Sequence, residues 1–167
     1  DLNRGKGKIA EIEEPVVRTE PGPEEALVQA NTLRERAAGL YRAVGVPETD
    51  AGRVANFQVE TDLRGVHSHG TRALPSYISR IQKGHTEAFA DVRVTKEGPS
   101  FAIVDGGVGL GHLASGRAME VAIQKAGETG IAVVGAVNSR YFGAAANYAM
   151  MALEHGMVGF CVSSSSP

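Results

Sequence analysis

The stretch FAIVDGGVGLGHLASGRAMEVAIQKAGETGIAVVGAV, Phe101 to Val137, carries the pattern that decides the fold. FAIVD is a short apolar run of strand composition, and IAVVGAV reads as a second, buried strand. Between them GGVGLGH forms a glycine turn, followed by a helix bearing Leu113, Met119, Ala122, Ile123 and Ala126. A strand, helix, strand unit of this kind belongs to an α/β domain. Gly109, Gly111 and Ala114 also match the GxGxxG/A dinucleotide pattern, placed after a strand and at a helix start as that pattern requires. The pattern further requires an acidic side chain at the end of the next strand to hold a ribose, and here Asn138 and Ser139 follow instead. The chain contains 21 glycines, so loose glycine patterns arise by chance and a tight strand-to-helix turn is the better explanation. The loop's backbone N–H groups could still approach an anion.

Working outward, DVRVTKE alternates like a half-exposed strand before Phe101, and NSRYFGAAANY reads as a loop leading into a helix after Val137. MVGFCV reads as a last strand. Upstream the period becomes helical. A first helix is expected from Pro23, with Leu27, Ala30, Leu33, Ala37, Leu40, Tyr41 and Val44 on its apolar face and Gly45 closing it. A second is expected over about 49–61, with Val54 and Phe57 inward, and a third over about 72–83, with Leu74, Tyr77, Ile78 and Ile81 on one side and Gly84 as its stop. Residues 1–22 mix charges and prolines without a period, which predicts an extended arm. The expected organisation is therefore an arm over 1–22, a helical segment over 23–84 and the first part of an α/β domain over 85–167.

The charge balance is nearly even, at −2, so nothing in the composition predicts binding to nucleic acid or an acidic membrane. No run is long and apolar enough to span a bilayer, which predicts a soluble protein. Cys161 is the one cysteine, so no internal disulfide can form, and its place in an apolar run suggests a small buried hydrophobe. A reducing, cytoplasmic setting fits. The chain starts at Asp1 rather than Met, so a mitochondrial matrix location after loss of a transit peptide is the alternative.

Chemistry concentrates in TDLRGVHSHGTRALPSY, Thr61 to Tyr77. His69 is a proton carrier near neutral pH, Ser68 places a hydroxyl beside it, Gly70 permits close approach, and Arg72 supplies a guanidinium within a turn. Those are the parts for handling a small oxyacid. On residue types alone, a polar helix start capped by Ser68 or Thr71 is as good an account. His67 and His69 lack further ligands at zinc spacing, and no GxSxG elbow accompanies Ser68, so neither metal nor serine-nucleophile chemistry is expected. His85, His112 and His155 border glycines at element ends, which predicts capping or surface roles.

DLRGVHSHGTRALPSYISRIQKG, Asp62 to Gly84, together with the blocks from VDGGVGLGH through NSRYFG to MVGF, resembles the type-2 malate/L-lactate dehydrogenase family. The similarity runs in one unbroken order from about Pro23 to Pro167. The resemblance implies NADH or NADPH bound by a fold that is not the Rossmann fold, and a homodimer or higher even oligomer. It implies His69 as proton donor and acceptor, Ser68 as the residue that orients it or touches substrate, and a nearby arginine on a small carboxylate substrate. The reaction implied is hydride exchange between nicotinamide and C2 of a 2-oxo or 2-hydroxy acid.

The chain departs from the family pattern in three places, one of them a serine within Ser163 to Ser166 where an asparagine is common before the family's next proline-rich loop. The family arginine commonly stands four residues after the histidine, where this chain has Ala73, so Arg72 one position earlier takes that substrate-binding role. The family's second motif commonly reads NSxHFG, and Tyr141 replaces its histidine here. A phenol, ordinarily ionising at about pH 10, cannot serve as a base at neutral pH but can donate a hydrogen bond to substrate. Family chains run to roughly twice this length, as befits a fold larger than one small domain, so the remainder of the fold is expected to be missing from this chain. The alternative expectation is a noncatalytic, dehydrogenase-like subunit whose residues 1–22 bind a protein partner.

Overall fold

In the computed structural model residues 27–163 are described. The arm expected over 1–22 lies outside them. Helix α1 spans Ala30–Ala43, α2 Glu48–Leu63 and α3 Leu74–Gln82, with two 3-10 turns, His67–His69 and Thr71–Ala73, between α2 and α3. Strands β1 (Arg93–Glu97) and β2 (Phe101–Asp105), helix α4 (Gly111–Thr129), strand β3 (Val133–Val137) and the short helix α5 (Ala146–Ala149) follow, and a 3-10 turn covers Met150–His155. The result is the expected α/β architecture, helices first and then a small sheet. Among the described residues no helix is long and apolar enough to cross a membrane.

Helix α1 starts later than its apolar spacing suggests. Residues 27–29 are not helical, Leu27 is 83% exposed, and the buried stripe narrows to Ala37, Ala38 and Tyr41. Leu40 also faces out, because α2 and α3 cover one side of α1 only. Helix α2 begins after Pro47 with Glu48 and Asp50 in its first turn, where carboxylates favour the positive end of the helix dipole. Its Ala51, Val54, Ala55 and Val59 are buried at helical spacing, and each fully buried valine contributes roughly 1.5–3 kcal/mol relative to exposure. Tyr77 and Ile81 of α3, with Leu110 and Leu113, complete this core.

The sheet order is β1-β2-β3. β1 and β2 pair antiparallel with a register shift between Val94 and Lys96, whereas β2 and β3 run parallel because α4 carries the chain back across the sheet. On β2, Ala102 and Val104 are buried and Phe101 is exposed, the alternation of a sheet with one covered face. β3 was expected to be buried and is not. It is an edge strand whose Val133 and Val137 are exposed, since no described strand lies beyond it. MVGFCV likewise forms no strand: Val158 is 98% and Phe160 81% exposed, and that segment has no ladder partner among the described residues.

The glycine loop is occupied by the protein itself. Gly106 N donates to the Val137 carbonyl (2.9 Å), Val108 N to the Asn138 carbonyl (2.7 Å) and Gly109 N to the Gly106 carbonyl (2.9 Å), while Gly107 N donates to Asp105 Oδ1 (2.9 Å). The Gly107 N–H, with the Asn138 side-chain amide behind it, holds the Asp105 carboxyl below its ordinary range. At the start of α4 the Arg140 carbonyl occupies the space that a β-carbon on Gly111 would need. No N–H of Gly106 to Gly109 therefore remains for an anion, and these glycines serve to dock the 138–141 loop on the sheet. Gly111→Ala is expected to cost about 2 kcal/mol or more and to lower the melting temperature on the order of 5 °C. Calorimetry showing an unchanged transition would mean that this approach is slack.

Candidate active site

The SHG turn is held from below by one carboxylate. Asp62, in the last turn of α2, accepts hydrogen bonds at Oδ2 from Thr71 N (2.9 Å) and Thr71 Oγ1 (2.6 Å), and its Oδ1 lies 3.2 Å from His67 Nδ1. Gly70 lies directly against that carboxylate, and any β-carbon there would collide with it. A carboxylate near a helix C-terminus faces the negative end of the dipole, an unfavourable placement by roughly 0.3–1 kcal/mol. The donors of the turn offset it. Gly65, at φ 77, releases the chain from α2, and His69 N and Gly70 N bond back to the Val66 and His67 carbonyls.

On this turn Ser68 Oγ lies 2.8 Å from His69 Nδ1, so one ring nitrogen is engaged and Nε2 has no partner among the described residues. The Tyr141 ring lies beside His69, with centroids 6.0 Å apart and planes at 34°. Tyr141 is 51% exposed, so this wall of the site is open to solvent. Arg72 is also exposed and makes no ion pair among the described residues. Ser68, His69 and Tyr141 are thus brought together from two distant parts of the chain, and Arg72 stands on the adjoining 3-10 turn. Tyr141 comes within reach because α5 is tied to α2: Asn147 Nδ2 donates to Thr61 Oγ1 (3.0 Å), and Arg64 donates to Asn147 Oδ1. Tyr148 donates its hydroxyl to the Phe142 carbonyl and fixes the same loop.

The model of the family described as Malate/L-lactate dehydrogenase matches residues 28–167. The chain belongs to the malate/L-lactate dehydrogenase family. It is 47% identical over 124 residues to a malate dehydrogenase of Pyrococcus horikoshii, covering 74% of this chain and 34% of that protein. It is 38% identical to an L-sulfolactate dehydrogenase of Methanocaldococcus jannaschii (77% of this chain, 37% of the relative). It is 31% identical to a ureidoglycolate dehydrogenase (NAD(+)) of Escherichia coli (84% and 40%). The solved Pyrococcus horikoshii malate dehydrogenase superposes with a TM-score of 0.80 at 41% identity, over 84% of this chain and 40% of that one. The chain spans between about a third and two fifths of the length of these relatives.

Two residues of the site escaped the sequence. Asp62 lies just past the helix end expected at about 61, so its place in the last turn of α2 emerges only from the structure. His112, expected to cap or to face solvent, is instead wholly buried against the Tyr77 ring, with centroids 5.1 Å apart. The neighbouring glycines suggested a surface, but α3 and the 141–143 loop close over the ring. Burial lowers its pKa to about 4. Among the described residues no group of three or more His, Cys, Asp or Glu side chains could hold a metal ion.

Asp62→Ala removes a three-donor acceptor and is expected to destabilise the fold by about 2–3 kcal/mol in urea titration, since hydrogen bonds to a charged group are the stronger kind. A loss below 0.5 kcal/mol would show that the turn holds without it. His112 generates a second expectation. The ring protonates near pH 6.5 when unfolded but near 4 when folded, so between those values the unfolded chain binds more protons. Stability present above pH 6.5 should fall as pH drops toward 4, by roughly 3 kcal/mol from this group. His112→Gln should flatten that part of the profile, and an unchanged profile would show the ring to be solvated.

Proposed function

We propose that this chain carries the proton-transfer side of an oxidoreductase that exchanges a hydride between NADH or NADPH and a small 2-oxo or 2-hydroxy acid of malate or lactate type. The observation that carries the proposal is the Ser68 Oγ to His69 Nδ1 contact at 2.8 Å, which leaves Nε2 facing outward beside Tyr141. With Ser68 accepting from Nδ1–H, the Nε2 lone pair is the base that takes the substrate hydroxyl proton as C2 is oxidised, and in the reverse direction Nε2–H returns it to the carbonyl oxygen. Arg72, exposed and without an ion pair among the described residues, is the cation for the substrate carboxylate, a role that a planar guanidinium fills with two parallel hydrogen bonds. The Tyr141 hydroxyl is the neutral donor opposite.

The nicotinamide coenzyme supplies the hydride when bound. The glycine loop does not build its phosphate site: the N–H groups of Gly106 to Gly109 are satisfied internally, and the Arg140 carbonyl sits over the start of α4. We assign residues 23–84 to the helical segment that carries this site and 85–167 to the first part of the α/β domain. The assembly expected is a homodimer or a higher even oligomer. Tyr141 in the place of the family's second histidine favours a second reading, a noncatalytic subunit with an assembly role.

His69→Ala should lower kcat on the order of 10² to 10⁴-fold, and His67→Ala by less than about threefold, because His67 makes an exposed contact only. Arg72→Lys should act mainly through a raised KM for carboxylates. Steady-state assays of the full-length protein with pyruvate and oxaloacetate, against both coenzymes, decide the matter. Full activity in His69→Ala would remove the assignment, and no turnover by the unaltered protein would favour the noncatalytic reading.

A further inference from the structure

His112 is a buried titratable side chain that the proton transfer does not use. It is fully buried, and neither ring nitrogen has a hydrogen-bonding partner among the described residues. Leaving a buried polar atom unmet is destabilising, a cost that a leucine of similar volume would not carry. A core selected for stability alone would not keep an imidazole here, so its value must lie in what it touches. Two contacts lead to the same place. One edge of the ring meets Tyr77, whose hydroxyl is also buried and unpartnered, and Tyr77 lies 6.1 Å from Tyr141 between ring centroids. In the other direction Nε2 faces Gly143, close enough that a β-carbon at Gly143 would stand 2.7 Å from it. Gly143 is two residues beyond Tyr141, and Tyr141 is the ring beside His69.

We propose that His112 is a positioning residue of the active site: braced on Tyr77 and aimed through the gap at Gly143, it holds the Tyr141 loop in register with His69. The proposal rests on the assignment of His69 as the proton carrier and names the interior group that sets the opposite wall. Tyr77 transmits the position of the imidazole as ring packing, and Gly143 transmits it through the backbone. A change at His112 therefore reaches His69 without His112 touching substrate. A leucine would fill the volume and relieve the unmet nitrogens, but its branched methyls would not reproduce the flat edge that meets Tyr77 and Gly143.

The test uses His112→Leu and His112→Gln in the full-length protein, read by melting temperature, by kcat and KM, and by the ring Cε1–H signal of His69 in a carbon-correlated NMR spectrum. His112→Leu is expected to melt at or above the wild-type temperature, to lose at least tenfold in kcat with KM changed less than threefold, and to shift the His69 signal. His112→Gln, whose planar amide keeps a flat edge toward Tyr77 and Gly143, is expected to recover kcat to within about threefold of wild type. Wild-type kinetics with an unmoved His69 signal in His112→Leu would overturn the proposal. So would a kcat loss that tracks a lowered melting temperature, or a glutamine variant no better than leucine. If His69→Ala proves fully active, the proton-carrier assignment fails by itself, and the His69 signal in His112→Leu still decides whether His112 positions that loop.

Discussion

The carboxylate of Asp62 is the constraint on which the site depends. It accepts from the backbone and side chain of Thr71 and from His67, and it lies against Gly70, so it touches both sides of His69 in the chain without touching His69. Two short 3-10 turns have little stability of their own, because each closes few hydrogen bonds for the backbone freedom it loses. A charged acceptor serving three donors supplies what the turns lack. Its cost is a negative charge at the negative end of α2, and the donors of the turn answer it locally. His69 is thereby fixed to a helix rather than to a free loop, the kind of anchoring that precise alignment of a side chain requires.

The second wall is positioned from the sheet. The glycine loop after β2 holds the 138–141 backbone by main-chain hydrogen bonds, and the start of α4 accepts that backbone closely because Gly111 has no side chain. Asn147 and Arg64 then close the opposite side against the end of α2. Tyr141 is therefore held between two anchored points, one on the sheet and one on α2. The loop that looks like a nucleotide cradle is a hinge post for the active-site loop, and its backbone donors serve the chain itself.

Elements whose periods are set by local sequence were legible. Helices α2 and α3, strands β1 and β2 and the body of α4 fall within a few residues of their apolar patterns and glycine stops. Covering was not legible. IAVVGAV has the composition of a buried strand, but whether its faces are covered depends on what lies beyond β3, and periodicity carries no such information. MVGFCV failed as a strand for the same reason, since a ladder needs a neighbour. Of the candidate site, Ser68 and His69 meet because they are adjacent in the chain, whereas the approach of Tyr141 to His69 depends on contacts distant in sequence. His112 was misjudged because its burial comes from α3 and from Gly143, both far from it in sequence.

The two histidines nearest Tyr141 show how one fold gives the same side chain opposite properties. His69 stands on a half-exposed turn with a hydroxyl at Nδ1 and no partner at Nε2 among the described residues. His112 is surrounded by Tyr77 and the α3 core, where an added proton would be a charge without water or counterion, and burial drives its pKa down to about 4. Near neutral pH the buried ring stays uncharged, so the Gly143 segment packs against a neighbour whose charge does not change. Tyr141, a phenol beside His69, adds a hydrogen-bond donor to that side of the turn.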